Sequence, residues 1–148
     1  MIDNSPEQIL FRIGGHTAGV ARCRFFQDRL YSNTKQFDPN MDKNLRQQLM
    51  LTCPPNGAKP DNVAFLDQNA SSWYKLDPSF YNQISRNRGI LPIDQALARD
   101  SRTSFFVKQL SDANVFNTKF ANAMIKLQAL DVLTGNQGQI RKVCSKFD

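Results

Sequence analysis

Residues 13–23 read Ile13-Gly14-Gly15-His16-Thr17-Ala18-Gly19-Val20-Ala21-Arg22-Cys23, and His16 is the only histidine in 148 residues. A neutral imidazole is a good ligand for haem iron and for zinc. Gly14 and Gly15 remove side chains where a flat cofactor or another backbone could approach closely. Zinc asks for three or four protein ligands. This chain offers one His and three dispersed cysteines with no C-x-x-C spacing. Haem needs a single axial ligand, so it fits the stretch better. An ordinary surface or core histidine is the other reading, and on these residues alone it stays open.

Helical patterns flank the stretch. Ser5-Pro6-Glu7 makes a helix start, with a capping hydroxyl and a proline in the first turn. Ile9, Leu10 and Ile13 then share a face, and Gly14-Gly15 ends or weakens the helix. Further along, Asp42 is placed to cap a helix carrying Leu45 and Leu49. Asp77-Pro78 opens one with Phe80, Tyr81 and Ile84. Asp94 is placed to cap a short turn through Leu97, and Ser101 to open a helix burying Phe105, Phe106 and Leu110. The strongest pattern runs from Asp112 to Gln128, with Val115, Phe116, Phe120, Ala123, Met124 and Leu127 on one stripe. No alternating pattern is comparably long. The spacing predicts an all-α single domain over residues 1–148, with a two-stranded piece near Cys23 or Cys53. Plain core packing is the expectation for Phe105, Phe106, Phe116 and Phe120.

Composition narrows the function classes. Nineteen Lys and Arg against thirteen Asp and Glu give a net charge of +6. The basic residues are scattered from Arg12 to Lys146, so a basic helical nucleic-acid-binding domain lacks the clustered face it needs. No apolar run approaches a transmembrane span. Residues 1–5 lack the basic start and apolar core of a signal peptide.

The stretch Gly14-Gly15-His16-Thr17-x-Gly19-x-x-x-Cys23 resembles the proximal-histidine signature of the secretory plant peroxidases, class III of the haem peroxidase superfamily. The likeness continues in the family's order. It runs through Arg24-Phe25-Phe26-Gln27-Asp28-Arg29-Leu30-Tyr31, Asp38-Pro39-Asn40-Met41, Cys53-Pro54, Leu66-Asp67-Gln68 and Leu76-Asp77 with Phe80-Tyr81. It ends with Gly89-Ile90-Leu91-Pro92-Ile93-Asp94-Gln95, Phe120-Ala121-Asn122-Ala123-Met124 and Leu133-Thr134-Gly135-x-Gln137-Gly138-Gln139-Ile140-Arg141-x-x-Cys144. The resemblance is to the C-terminal, proximal half of the helical peroxidase fold. The R-x-x-F-H-D-C type motif of the distal half, with its catalytic His and Arg, is absent.

The resemblance implies a haem-dependent oxidoreductase that uses hydrogen peroxide to oxidise small phenolic donors. Its cofactors would be haem b and calcium, and its location extracellular. It implies His16 as the axial iron ligand and Asp94 as the carboxylate accepting from the other ring nitrogen, which makes the imidazole more basic and fixes its direction. A helix cap is the alternative for Asp94. Thr17, Asp67 and Asp77 match the family's proximal calcium site, where a hard cation takes six to eight oxygens. The loop hydroxyl of that site aligns with Ala70, Ser71 or Ser72, Ser72 being the choice here, and Lys75 would give a backbone carbonyl. The loop is longer than in many relatives, and Pro78 stands where Asn is usual.

Cys23 and Cys53 match a family disulfide, and Cys144 one whose partner lies in the distal half. Three buried free thiols are the alternative. Phe25 matches an aromatic near the haem, with generic core as its alternative. Arg22 occupies a place where a polar residue reaches a haem propionate, or else lies on solvated surface. Arg12 falls where an apolar residue is usual. A catalytically inactive remnant of such an enzyme is the second functional expectation; membrane and nucleic-acid partners are not expected.

Overall fold

The structure, a computed structural model, describes residues 13–31, 38–55 and 61–146. The expected helix over Ser5-Pro6-Glu7, Ile9 and Leu10, and the position of Arg12, lie outside the described residues. The elements that follow are mostly helical, as the patterning predicts. A 3-10 turn, Gly14–Thr17, leads through Gly19 (φ 103°, a conformation that penalises a Cβ) into strand β1, Val20–Arg22. A second 3-10 turn, Cys23–Phe25, is followed by α1, Gln27–Leu30, and α2, Lys43–Thr52. Strand β2, Val63–Phe65, pairs antiparallel with β1 in the register Val20↔Phe65, Ala21↔Ala64 and Arg22↔Val63. The period of two turns Ala21 and Ala64 inward and leaves Val20, Arg22 and Val63 exposed. The ribbon thus adjoins Cys23, whereas Cys53 ends α2. Helices α3 (Ser79–Ser85), α4 (Pro92–Arg99), α5 (Ser104–Leu110) and α6 (Ala113–Gln128) complete the order.

Two cores hold these elements. The first gathers Ala21, Phe26, Leu30, Met41, Leu45, Leu49, Ala64 and Ile90 around Cys23 and Cys53, whose Cα atoms lie 5.5 Å apart in a disulfide. On a chain-entropy account, closing that loop stabilises by about 3–4 kcal/mol. The second core packs Phe80, Tyr81, Ile84, Leu97, Val107, Leu110, Phe116 and Ala123 from α3 to α6, with Ile13 against it. The Gly14–Thr17 turn therefore lies where the chain passes from one core to the other.

Local chemistry sets most helix starts. Asp42 accepts from Leu45 N at 2.9 Å and caps α2; Asp112 accepts from Asn114 N and Val115 N and caps α6. Asp77 Oδ1 accepts from Ser79 N at 2.8 Å at the entry of α3. Two expected starts move. Pro92 occupies the first position of α4, so Leu91 precedes the helix and Asp94 lies within its first turn instead of capping it. The α5 helix begins at Ser104, not Ser101, because Thr103 turns back to donate to the Leu97 carbonyl at 2.7 Å. The buried stripe of α5 is then Val107 and Leu110. Phe105 is 62% exposed, against the core packing expected for it, whereas Phe106 is partly buried and packs against the second core as expected. On α6, Phe116 and Ala123 are buried, Val115, Phe120 and Met124 are partly covered, and Leu127 is exposed: no described element packs over that end. Residues 129–146 form no helix or strand, and Cys144 is free and exposed.

Candidate active site

His16 projects from the Gly14–Thr17 turn with its side chain 34% exposed. Its Nδ1 lies 3.0 Å from Oδ1 of Asp94, which is fully buried in the first turn of α4. A carboxylate only accepts, so Nδ1–H is the donor and the neutral ring keeps its lone pair on Nε2. The Asp94 hydrogen bond raises the imidazole pKa above its ordinary value, burial opposes this, and the Asp94 charge adds to the rise. The edge of Phe80 meets the ring at 5.9 Å.

The backbone around Asp94 is held by its surroundings, while its Oδ2 is buried with no hydrogen-bond partner. The first turn of a helix favours a negative charge. Its neighbour Gln95, also buried, donates to the Ile84 carbonyl at 2.9 Å and accepts from Gly89 N at 3.0 Å. Arg29 is buried in α1 and donates to the carbonyls of Gly89 and Ile90, each at 2.7 Å, and to Asp38 at 2.7 and 2.9 Å. Burial alone would raise the Asp38 carboxyl; the Arg29 hydrogen bonds and the Asn40 N–H outweigh it and hold the pKa low.

Beside His16, Thr17 starts a second cluster. Its hydroxyl donates to the Asp77 carbonyl at 2.8 Å and lies 3.3 Å from the Lys75 carbonyl. Ser72 donates to Asp77 Oδ2. Ser79 joins the two aspartates, with N–H to Asp77 Oδ1 and hydroxyl to Asp67 Oδ1 at 3.3 Å. Asn69 N also donates to Asp67 Oδ1, at 2.9 Å. The other oxygen, Asp67 Oδ2, is buried with no hydrogen-bond partner. Burial pushes the Asp67 carboxyl pKa up, and Asp77 adds to the rise. An open cleft of about 480 Å³, lined by Ser72, Lys75, Asp77, Ser79 and Arg86 among others, brings solvent to this cluster.

Thr17, Asp67, Ser72, Lys75 and Asp77 are therefore brought together, and Ala70 and Ser71 are exposed. Among the described residues no three His, Cys, Asp or Glu side chains gather as a metal site. The donor set is two carboxylates plus hydroxyls and carbonyls, which suits a hard cation and not zinc. Ser79 was not among the expected residues. The signal was present in Asp77-Pro78-Ser79, because an aspartate readily accepts from the backbone two residues on.

Arg22 Nη1 donates to the Asp61 carbonyl at 2.7 Å on the surface. Phe25 is 57% exposed under the Arg24 guanidinium, so generic core packing does not describe it.

A family model described as Peroxidase matches residues 4–113. The chain is 41% identical over 143 residues to Peroxidase 60 of Arabidopsis thaliana, covering 95% of this chain and 43% of that one. It is likewise 41% identical to Peroxidase 71 of Arabidopsis thaliana over 143 residues, with the same 95% and 43% coverage. Peroxidase 2 of Oryza sativa subsp. japonica is 38% identical over 137 residues, 91% of this chain and 41% of that one. The chain belongs to the peroxidase family, a family of oxidoreductases. It spans less than half the length of the curated relatives it matches.

Proposed function

We propose that this chain is the proximal, haem-holding half of a secreted class III plant peroxidase, with His16 as axial ligand and Asp94 as its partner. The observation that carries this reading is the 3.0 Å hydrogen bond from His16 Nδ1 to the buried Asp94. It fixes the tautomer, leaves the lone pair on Nε2, and makes the imidazole a stronger donor to a metal. Exposed Phe25 and Leu76 offer apolar surface suited to a flat macrocycle, and Arg22 a cation suited to a propionate. Bound haem b would supply the redox chemistry, reducing hydrogen peroxide and oxidising phenolic donors one electron at a time. Asp94 would hold the imidazole in place and its proton on Nδ1.

Calcium would sit among Thr17, Asp67, Ser72, Lys75 and Asp77. The orphaned, buried Asp67 Oδ2 supports this, because an uncompensated buried carboxylate oxygen is costly unless a cation or donor meets it. Thr17 would then couple the ion to the residue next to His16. The Cys23–Cys53 disulfide supports an oxidising, extracellular location. With the sole histidine holding the iron, proton transfer on peroxide would fall to groups outside these residues, those of a distal half.

Haem titration tests the reading. The chain should develop a Soret band characteristic of an imidazole-ligated haem, and His16→Ala should lose it. An identical spectrum for His16→Ala would overturn it. A guaiacol assay separates a working proximal half, active once a distal half is supplied, from an inactive remnant.

A further inference from the structure

Gly14 is buried, and its backbone is ordinary: the described glycines with positive φ are Gly19 and Gly135. Conformation does not demand a glycine here, but space does. A Cβ on Gly14 would lie 3.0 Å from Phe120 Cδ2, 3.0 Å from Tyr81 Oη and 3.2 Å from Phe116 Cε2. These atoms belong to rings that lock one another. Phe116 and Phe120 of α6 stack at 5.3 Å, Tyr81 meets Phe116 at 6.0 Å, and Phe80 meets Tyr81 at 5.3 Å. Phe80 then meets His16 itself at 5.9 Å. A Cβ on the neighbouring Gly15 would meet nothing within 4 Å.

We propose that Gly14 is a positioning residue for His16. Its missing side chain lets the 3-10 turn seat directly on Tyr81 of α3 and on the Phe116–Phe120 stack of α6, and this seating aims the imidazole at Asp94. The turn has no side-chain cap at its start, so packing holds it there. Asp94 is held from its other side by the loop that Arg29 grips, while Gln95 ties its helix to Ile84 at the far end of α3. A methyl group forced into a close-packed interior displaces its own backbone or the rings. Two residues on, that displacement moves His16 relative to an acceptor that the Arg29-gripped loop still holds. Helix α6 thereby governs the imidazole through Gly14.

The inference deepens the proposed function, since it concerns the same imidazole, but it is tested without haem or calcium, so the two fail separately. Hydrogen exchange of the His16 Nδ1–H is followed by NMR in the 148-residue chain, with helix content from circular dichroism. Gly14→Ala should accelerate exchange about 5- to 100-fold, the range expected for one overpacked methyl. Gly15→Ala, the same chemical change in the same turn, should leave it unaltered. Adding Phe120→Ala to Gly14→Ala opens space for the methyl and should restore part of the protection. Unchanged exchange in folded Gly14→Ala, equal effects at Gly14 and Gly15, or no recovery in the double variant would each overturn the proposal. Should Gly14→Ala fail to fold, Phe120→Ala alone decides. It frees the turn from behind and should accelerate exchange with helix content retained; wild-type protection there would overturn the proposal.

Discussion

Arg29 Nη1 donates to the carbonyl of Ile90 at 2.7 Å from within the first core, across 61 residues of chain. Its guanidinium also grips Gly89 and Asp38, so it fastens the segment leading into α4, the helix of Asp94. Removing it would leave two carbonyls and the Asp38 carboxylate short of donors. Breaking a fully buried pair from one side costs about 3–5 kcal/mol, and Asp38 keeps some solvent contact, so the lower end of that range applies. Arg29→Met should lower the stability of the chain by that order in urea unfolding. A loss under about 1 kcal/mol would mean that water replaces the guanidinium at little cost.

Asp94→Asn keeps the shape of the side chain and one acceptor oxygen but removes the charge. The imidazole should become less basic, and affinity for haem should fall about 10- to 100-fold, the usual effect of losing a partner behind a metal-binding histidine. Haem titration of the two chains measures the ratio.

The His16–Asp94 pair also sets a pH dependence. The Asp94 hydrogen bond raises the folded-state pKa of His16 above the unfolded value of about 6.5. A raised pKa contributes stability that is fully present below the unfolded pKa and is lost as pH climbs through the folded one. The stability difference between the metal-free wild type and His16→Gln should therefore shrink as pH rises from roughly 6 to 9. A difference that stays flat in urea titrations over that range would show that Asp94 does not hold the proton.

Short-range chemistry was legible in the sequence. Asp42 and Asp112 cap the helices they precede because capping is decided within three residues. Where a local rule misled, a competing contact had won. Pro92 took the helix start that Asp94 was expected to mark, and Thr103 bonded back to Leu97 and delayed α5, which turned Phe105 outward. The candidate site was legible only through the family resemblance. No periodicity links His16 to Asp94 across 78 residues or Thr17 to Asp77 across 60. The grip of Arg29 on the 89–90 carbonyls and the role of Ser79 between two aspartates belong to the same long-range class.

Calcium should stabilise the chain through the Thr17–Asp77 cluster. At a concentration one hundred times its dissociation constant, a ligand bound only by the folded state adds about 2.7 kcal/mol. Thermal unfolding should rise with added calcium and fall back with a chelator. Asp67→Ala should abolish most of that response, because it removes the buried oxygen that has no other partner. Equal calcium responses from the wild type and Asp67→Ala would remove Asp67 from the site.

Peroxidase turnover by these 148 residues should be far below that of a full-length relative. The chain carries one histidine, and its Nδ1 is bonded to Asp94. No second imidazole exists to move a proton between the peroxide oxygens, a service worth about 10²–10⁴-fold in rate. The surface around the site adds to the deficit. The His16 side chain is 34% exposed, so water reaches the imidazole that would hold the cofactor. Added imidazole should raise the residual rate of the haem-loaded chain by supplying the missing base. Guaiacol oxidation at the full rate of a longer relative, without such an additive, would mean that a group other than His16 handles the peroxide proton.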